Sequence, residues 1–330
     1  MPLYDVIGLG VLRSDHIYSI DTIPASGEHL ICPANVTSGG SAANTIFGLS
    51  KLGLKCGLIG AVGDDPAGRT LVTELIAAGI DTGHVASIPN AQTDSAIVML
   101  GADGGRVSYL CYDAGKSLRV NEAAIETLNQ AAAIHIGGLA GPEQLKAISA
   151  AVTGLNPDIT ISLSISDSEA VLGIKAFEAV IARAAVVFAS RTAIEKLTRK
   201  NYHRGGEMCR RLGAKATVVF LTCGEEIRKI RKKGKAASVT TYIRNHEYEC
   251  TIESAIRKWP NIIETTGAQD AFAAGFLYGL LKDRAIDECG FLGDILAQAC
   301  LKTPGARDSL PDAGEVSKRY FQIHREELSF

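Results

Sequence analysis

The stretch Ile262-Ile263-Glu264-Thr265-Thr266-Gly267-Ala268-Gln269-Asp270-Ala271-Phe272-Ala273-Ala274-Gly275-Phe276 decides how the rest of the chain is read. An extended, β-branched segment turns at Gly267 and becomes an alanine-rich helix. Asp270 falls in the first helical turn, beside backbone N–H groups that lack intrahelical acceptors. Such an end attracts anions, because the free amides and the positive end of the helix dipole point the same way. A carboxylate beside a phosphate cradle points to phosphoryl transfer to a hydroxyl. An acidic first-turn residue also serves simply to stabilise a helix, by about 0.3–1 kcal/mol. The Glu-Thr-Thr cluster before the turn and the small residues Ala271, Ala273, Ala274 and Gly275 after it favour the functional reading, since they permit close packing and an open phosphate approach. Gln269 stands apart as a long side chain where a close backbone approach to phosphate favours glycine. A left-handed backbone there would add roughly 1–2 kcal/mol.

The bulk properties narrow the classes around this turn. The chain has 330 residues, 46% of them hydrophobic, enough for a substantial core and too many for disorder. A net charge of −2 gives no electrostatic reason to expect nucleic acid as a partner. No apolar run reaches the roughly 18 residues of a membrane span, and Met1-Pro2-Leu3-Tyr4-Asp5 lacks the start of a signal peptide. The eight cysteines are scattered without a C-x-x-C pair, and the seven histidines show no metal-ligand spacing. A globular, cytoplasmic protein is expected.

Outward from the turn, Tyr4 to Gly10 reads as a first strand, and Gly39-Gly40-Ser41-Ala42-Ala43-Asn44 opens a helix with Ile46, Leu49 and Leu52 at helical spacing. Strands are expected from Cys56 to Val62 and near 134–136, 159–163, 186–189 and 217–221. Helices are expected around 67–78, 144–152, 176–183 and 207–212. This alternation implies an α/β fold, a mostly parallel sheet covered by helices on both faces, with ligands at the carboxyl ends of the strands. A single domain over 1–330 is expected. Two β-rich stretches, at about 11–37 and 93–118, break the rhythm and read as hairpins forming a small sheet that lies across the site as a lid. The segment from 238 to 260 shows no clear periodicity.

Other motifs are weaker. Gly39 and Gly40 let a polyhydroxylated ligand approach closely, with Asn44 bonding a hydroxyl, but they also suit an ordinary tight turn. Asp15 suits two neighbouring sugar hydroxyls, or a surface turn. The basic run from Arg228 to Lys235 reads better as a solvated hairpin than as a phosphate or nucleic-acid site, because nothing aromatic interleaves it.

Together these pieces resemble the ribokinase-like carbohydrate and nucleoside kinases of the phosphofructokinase-B type. The resemblance runs from the first strand and Asp15, through the Gly-Gly helix with Asn44, the lid and the Thr222-Cys223-Gly224 turn, to the 264–276 signature and Gly305-Ala306. It implies a three-layer α/β/α sandwich with a small β-sheet lid, and ATP- and Mg²⁺-dependent phosphorylation of a hydroxymethyl group on a sugar or nucleoside. Asp270 would be the base, and the N–H groups of Gly267, Ala268 and Gln269 the anion hole. Asp15, Gly39, Gly40 and Asn44 would hold the acceptor, and Thr222 and Gly224 would line the nucleotide pocket. Many members hold a monovalent cation, here K⁺ around Thr266, Gly305 and Ser309. A homodimer paired through exposed faces of the lid is compatible with the pattern.

The departures all fall on the nucleotide side. Glu264 and Gln269 replace the usual first Asp and third Gly of the signature. Ser190 and Ala193 stand where the family carries Asn-x-x-Glu, Ile227 replaces a late glycine, and Ser164 stands where many members have Asp or Asn. Glu195 would face elsewhere on its helix. Two readings follow, an active small-molecule kinase or a pseudokinase that binds a sugar or nucleoside or serves in assembly.

Overall fold

Segments such as Tyr4–Leu9, Cys56–Gly63 and Ala131–Ile136 are apolar along nearly their whole length, which suits strands covered on both faces. The computed structural model describes all residues except 1, 25, 30–33, 102–105, 222–237, 256–265, 304 and 329–330. Its strands are β1 (Tyr4–Leu9), β2 (Arg13–Ile20), β3 (Asn35–Gly39), β4 (Cys56–Gly63), β5 (Asp81–Ile88), β6 (Asp94–Gly101), β7 (Arg106–Cys111), β8 (Ala131–Ile136), β9 (Thr160–Ile165), β10 (Ala184–Ser190), β11 (Ala216–Phe220), β12 (Ser238–Arg244) and β13 (Glu249–Ala255). The helices are α1 (Ser41–Lys51), α2 (Pro66–Ala77), α3 (Glu122–Leu128), α4 (Pro142–Gly154), α5 (Ile174–Arg183), α6 (Arg191–Thr198), α7 (Tyr202–Leu212), α8 (Ala268–Leu281), α9 (Ile286–Cys300) and α10 (Ala313–His324).

The main sheet has nine strands in the order β13-β12-β11-β10-β9-β8-β1-β4-β5. β1 lies centrally, with Val6 opposite Cys56 on one side and Ala133 on the other, both in parallel register. One core layer packs Ile46, Leu49, Phe272, Phe276 and Leu292 from α1, α8 and α9 against the sheet. The opposite layer packs Leu145, Ile148, Phe177, Val180 and Ile194 from α4, α5 and α6. The expected three-layer architecture is therefore present. The segment from 238, which carries no sequence periodicity, supplies the antiparallel edge hairpin β12–β13. Its turn is specified locally, since Asn245 Oδ1 accepts from the N–H groups of Glu247 and Tyr248.

The second sheet, ordered β3-β2-β6-β7, occupies both stretches expected to form the lid. Strand alternation gives it two faces. The row Thr37, Asp15, Ala96 and Leu110 points inward, and the neighbouring row Val36, His16, Ile97 and Tyr109 points outward. Val36, Ile97 and Tyr109 in that outer row are exposed. Buried Asp94 anchors the base of the lid, its Oδ1 accepting from the N–H groups of Asp113 at 2.7 Å and Gly115 at 3.0 Å. The Asp103-Gly104-Gly105 turn and the basic run to Lys235 lie outside the described residues. Among the described residues, no helix is long and apolar enough to cross a membrane.

Candidate active site

The site forms where the helix N-termini of α1 and α8 meet the carboxyl ends of β1, β8, β9 and β10 beneath the lid. Gly267 begins it, with φ at +79° in the left-handed region. A Cβ on Gly267 would stand 2.2 Å from the Ala306 Cβ, so both conformation and packing demand glycine. The left-handed conformation is confined to Gly267; Gln269 lies within α8 and is not among the positive-φ residues. The strain that a left-handed Gln269 would bring therefore does not arise. No side chain caps α8, so its first amides lack intrahelical acceptors. Thr266 to Asp270 all border a cavity of about 490 Å³.

Asp270 is held at three points by the first turns of α1. Ser41 Oγ donates to its Oδ1 at 2.7 Å, Asn44 Nδ2 donates to its Oδ2 at 2.9 Å, and Thr45 Oγ1 donates to its main-chain oxygen at 3.3 Å. Burial pushes the Asp270 carboxyl up to about 6, against the lowering effect of the Asn44 and Ser41 hydrogen bonds and of Arg13. A carboxylate so tuned can take a proton from a hydroxyl near neutral pH.

Arg307 is one residue the sequence reading passed over. It is only 5% exposed, and its Nε donates to Asn44 Oδ1 at 3.0 Å while Nη2 donates to Gly39 O at 3.2 Å. The Asn44 amide can thus point only its nitrogen at Asp270. Arg307 also lies 3.7 Å from Glu74 and over the Phe47 ring. Burial lowers its pKa to about 10, so it stays charged at neutral pH. Nothing local in the sequence marks this role, because the contact spans 263 residues.

The acceptor-side motifs divide. Ser41 and Asn44 reach the cavity wall, whereas Gly39, Gly40 and Asp15 are not among the residues lining it. A Cβ on Gly39 would lie 2.5 Å from Asp15 Oδ2, and one on Gly40 (φ +105°) would lie 2.2 Å from Val11 O. The Gly-Gly pair therefore makes room for protein rather than standing bare on the cavity. The Asp15 side chain is 1% exposed, and its Oδ1 accepts from Arg13 Nε at 2.6 Å. Arg13 takes the cavity wall instead. Its position two residues before Asp15, on the same strand face, was a signal available in the sequence.

Across the cavity, Ser164, Ser166, Asp167, Ser168, Ser190 and Thr192 form a hydroxyl-rich wall. Ser190 caps α6 by accepting from the Ala193 N–H, and Ala193 is fully buried. Ser190 Oγ donates to Asp167 Oδ1 at 2.8 Å, and Thr192 Oγ1 lies 2.8 Å from both Asp167 oxygens. Asp167, also missed by the sequence reading, thus supplies a carboxylate beside the missing Asn-x-x-Glu pair. Glu195 turns away to Arg191 and the Tyr202 N–H. Thr222, Gly224, Ile227 and Glu264 lie outside the described residues. The late turn meets the signature, with the Cys300 thiol within hydrogen-bond reach of Thr266 O at 3.4 Å and Ala306 O at 3.7 Å. Nearby Ser309 Oγ is buried without a hydrogen-bond partner among the described residues.

Comparison with known proteins supports the family and the fold. Residues 33–313 match the pfkB family carbohydrate kinases. An uncharacterized sugar kinase of Archaeoglobus fulgidus is 26% identical over 265 residues, which cover 80% of this chain and 98% of that protein. A nucleoside kinase of Methanothermobacter thermautotrophicus is 24% identical over 324 residues, 96% of this chain and 95% of its own. Among solved structures, a putative ribokinase II from E. coli in complex with ATP and Mg²⁺ superposes with a TM-score of 0.77 at 19% identity, over 98% of this chain and 100% of that chain. With the matched region spanning the Gly-Gly helix, lid strands β3, β6 and β7 and the Gly267 turn, the chain belongs to the pfkB family of carbohydrate kinases.

Proposed function

We propose that the protein transfers the γ-phosphoryl group of ATP to a hydroxymethyl group of a sugar or nucleoside, with Asp270 as base. One observation carries this reading: a carboxylate held by Ser41 and Asn44, and pushed up to about 6, stands beside the open amides of α8 in the same cavity. In the transfer, the acceptor oxygen bonds phosphorus, its proton passes to Asp270, and the bond to the β-phosphate oxygen breaks to leave ADP. The N–H groups of Gly267, Ala268 and Gln269 would hold charge on the moving group, worth about 2.7–4 kcal/mol per donor in a comparable oxyanion hole. Positioning supplies most of the rest.

Asn44 would bond the acceptor hydroxyl directly, while Asp15, Gly39 and Gly40 shape the acceptor side through Arg13 and the α1 N-terminus. Thr222 and Gly224 would line the nucleotide, as the family resemblance implies. Magnesium usually keeps several waters and binds one or two carboxylates plus substrate phosphates. Asp167, with the Ser190 and Thr192 hydroxyls, suits that mode, and the ion would neutralise phosphate charge there. The buried Ser309 hydroxyl, together with oxygens of Thr266 and Gly305, would supply the kind of donors that an oxygen-loving monovalent cation such as K⁺ takes. The exposed outer row of the lid, Val36, Ile97 and Tyr109, is the face on which a homodimer would pair.

Calorimetric titration of ATP·Mg²⁺, with ADP release measured over a panel of sugars and nucleosides, tests the reading. Turnover that disappears in Asp270→Asn is the expected outcome. Absence of nucleotide binding at millimolar ATP would overturn it in favour of a pseudokinase.

A further inference from the structure

Given the acceptor position proposed above, we infer that the acceptor is an anionic sugar, bearing a phosphate or carboxylate group that Arg13 grips under the lid. The charged side chains of the described lid strands that reach the cavity are Arg13 and Arg106, and no acidic one joins them. The lid's carboxylates, Asp15 and Asp94, are withdrawn behind the wall at 0% and 1% exposure. A polyol held in the expected way would meet the Asp15 carboxylate. Here it meets a guanidinium, 21% exposed, with that carboxylate behind it.

Arg13 is built to present itself. Asp15 Oδ1 takes only its Nε, and Asp15 Oδ2 is buried with no partner, so the terminal nitrogens are not spent on the ion pair; the Tyr112 side chain on the same cavity wall hydrogen-bonds Arg13. One edge of the planar fork is thereby fixed by Asp15, and the remaining donors are shared between Tyr112 and a ligand. That arrangement suits two-point recognition of a phosphate or carboxylate far better than of a lone hydroxyl. Arg106, opposite Leu100 at the far end of the same face, reaches Thr266 Oγ1 at 3.4 Å and adds positive potential between lid and turn. Between them the inner face is apolar or small, with Ala96, Val98 and Leu110 suited to a carbon skeleton.

Calorimetry without nucleotide separates this inference from the kinase reading. Fructose is compared with fructose 1-phosphate and fructose 6-phosphate, and glucose with gluconate, so that the phosphate and carboxylate arms are distinct. An anionic sugar binding at least tenfold tighter than its neutral parent is expected. The preference should vanish in Arg13→Gln, persist in part in Arg13→Lys and weaken less in Arg106→Gln. Because Arg13→Gln strands the buried Asp15 charge, the double variant Arg13→Gln/Asp15→Asn repeats the test with neither charge present. Equal or weaker binding of both anionic classes by the wild type overturns the inference, as does a preference undiminished in the double variant. Anionic sugars that bind but are not phosphorylated would leave the inference standing and remove the kinase reading instead.

Discussion

The two halves of the cavity are built by different means. On the acceptor side, Asp270 is fixed by a relay that runs from Arg307 through Asn44 and in parallel through Ser41. Each group in that relay is buried or half-buried, and each bond constrains the next. On the donor side, Asp167 gathers the Ser190 and Thr192 hydroxyls near solvent, with Lys196 at 3.5 Å. Under the proposed function, the first arrangement would preorganise a proton acceptor and the second would offer a polar surface for a hydrated metal–phosphate group. Letters missing from a family pattern thus mean different things on the two sides. The buried side depends on particular partners, whereas the exposed side accommodates another carboxylate on a neighbouring strand end.

The contrast is open to direct attack. Removing the base should have the largest effect: Asp270→Asn is expected to lower kcat by about 10²–10⁴. The same variant should not lose stability. With its carboxyl raised from 3.8 to about 6, folded Asp270 keeps a proton in that window that the unfolded chain has released. Stability therefore falls as pH rises through the window, and an ionised Asp270 is a net cost at neutral pH. Asn can keep both hydrogen bonds, so thermal unfolding should show an unchanged or higher Tm. A Tm several degrees lower would show that the carboxylate is structural.

Arg307→Met comes next. It leaves Asn44 Oδ1 and Gly39 O unsatisfied, at roughly 1–3 kcal/mol for each buried group. It should also lower kcat by about tenfold through a misdirected Asn44 amide, with little change in KM for ATP, to reflect a general order of 1.4 kcal/mol per decade. If KM for ATP moves instead, the relay does not end at Asp270. On the donor side, Asp167→Ala should raise the Mg²⁺ concentration needed for half-maximal rate while sparing acceptor binding. An unchanged Mg²⁺ dependence would remove Asp167 from that role.

The pH profile joins the two halves. The acid limb of kcat/KM should fall near pH 6, where Asp270 takes up its proton. In Arg13→Gln/Asp15→Asn, the opposing influences of Arg13 and Asp15 disappear together, so the limb should move little; a limb far from 6 in the wild type would point to another base. The smallest effect belongs to Gln269→Gly. The backbone there is helical, so relief of strain is not available, and a change in rate within about threefold is consistent with a helix-propensity cost of roughly 1 kcal/mol or less. A large rise in rate would identify the Gln269 side chain as an obstruction after all.

How much of this was legible from the residues alone follows the range of the interactions. The strands of the parallel sheet and most of its helices declared themselves through apolar runs, helical spacing and glycine turns, all of which act over a few residues. The edge hairpin from 238 did not, because Thr241, Tyr242 and Ile243 are buried in succession and so lack a period-two pattern. Gly267 was readable because only glycine suits its left-handed turn. The strain considered for Gln269 was a matter of which residue carries that turn, and only the backbone path could assign it.

By itself the sequence determined the family, the α/β architecture, the place of the lid and Asp270 as the residue at the helix entrance. These follow from local propensity and from motifs within single elements. The tertiary structure alone decided that Arg13 covers Asp15, that Asp167 stands beside the altered Ser190 turn, and that Arg307 orients Asn44 from across the fold. Those are pairings between groups that chain order does not bring together, and the charge a ligand meets depends on which partner lies in front.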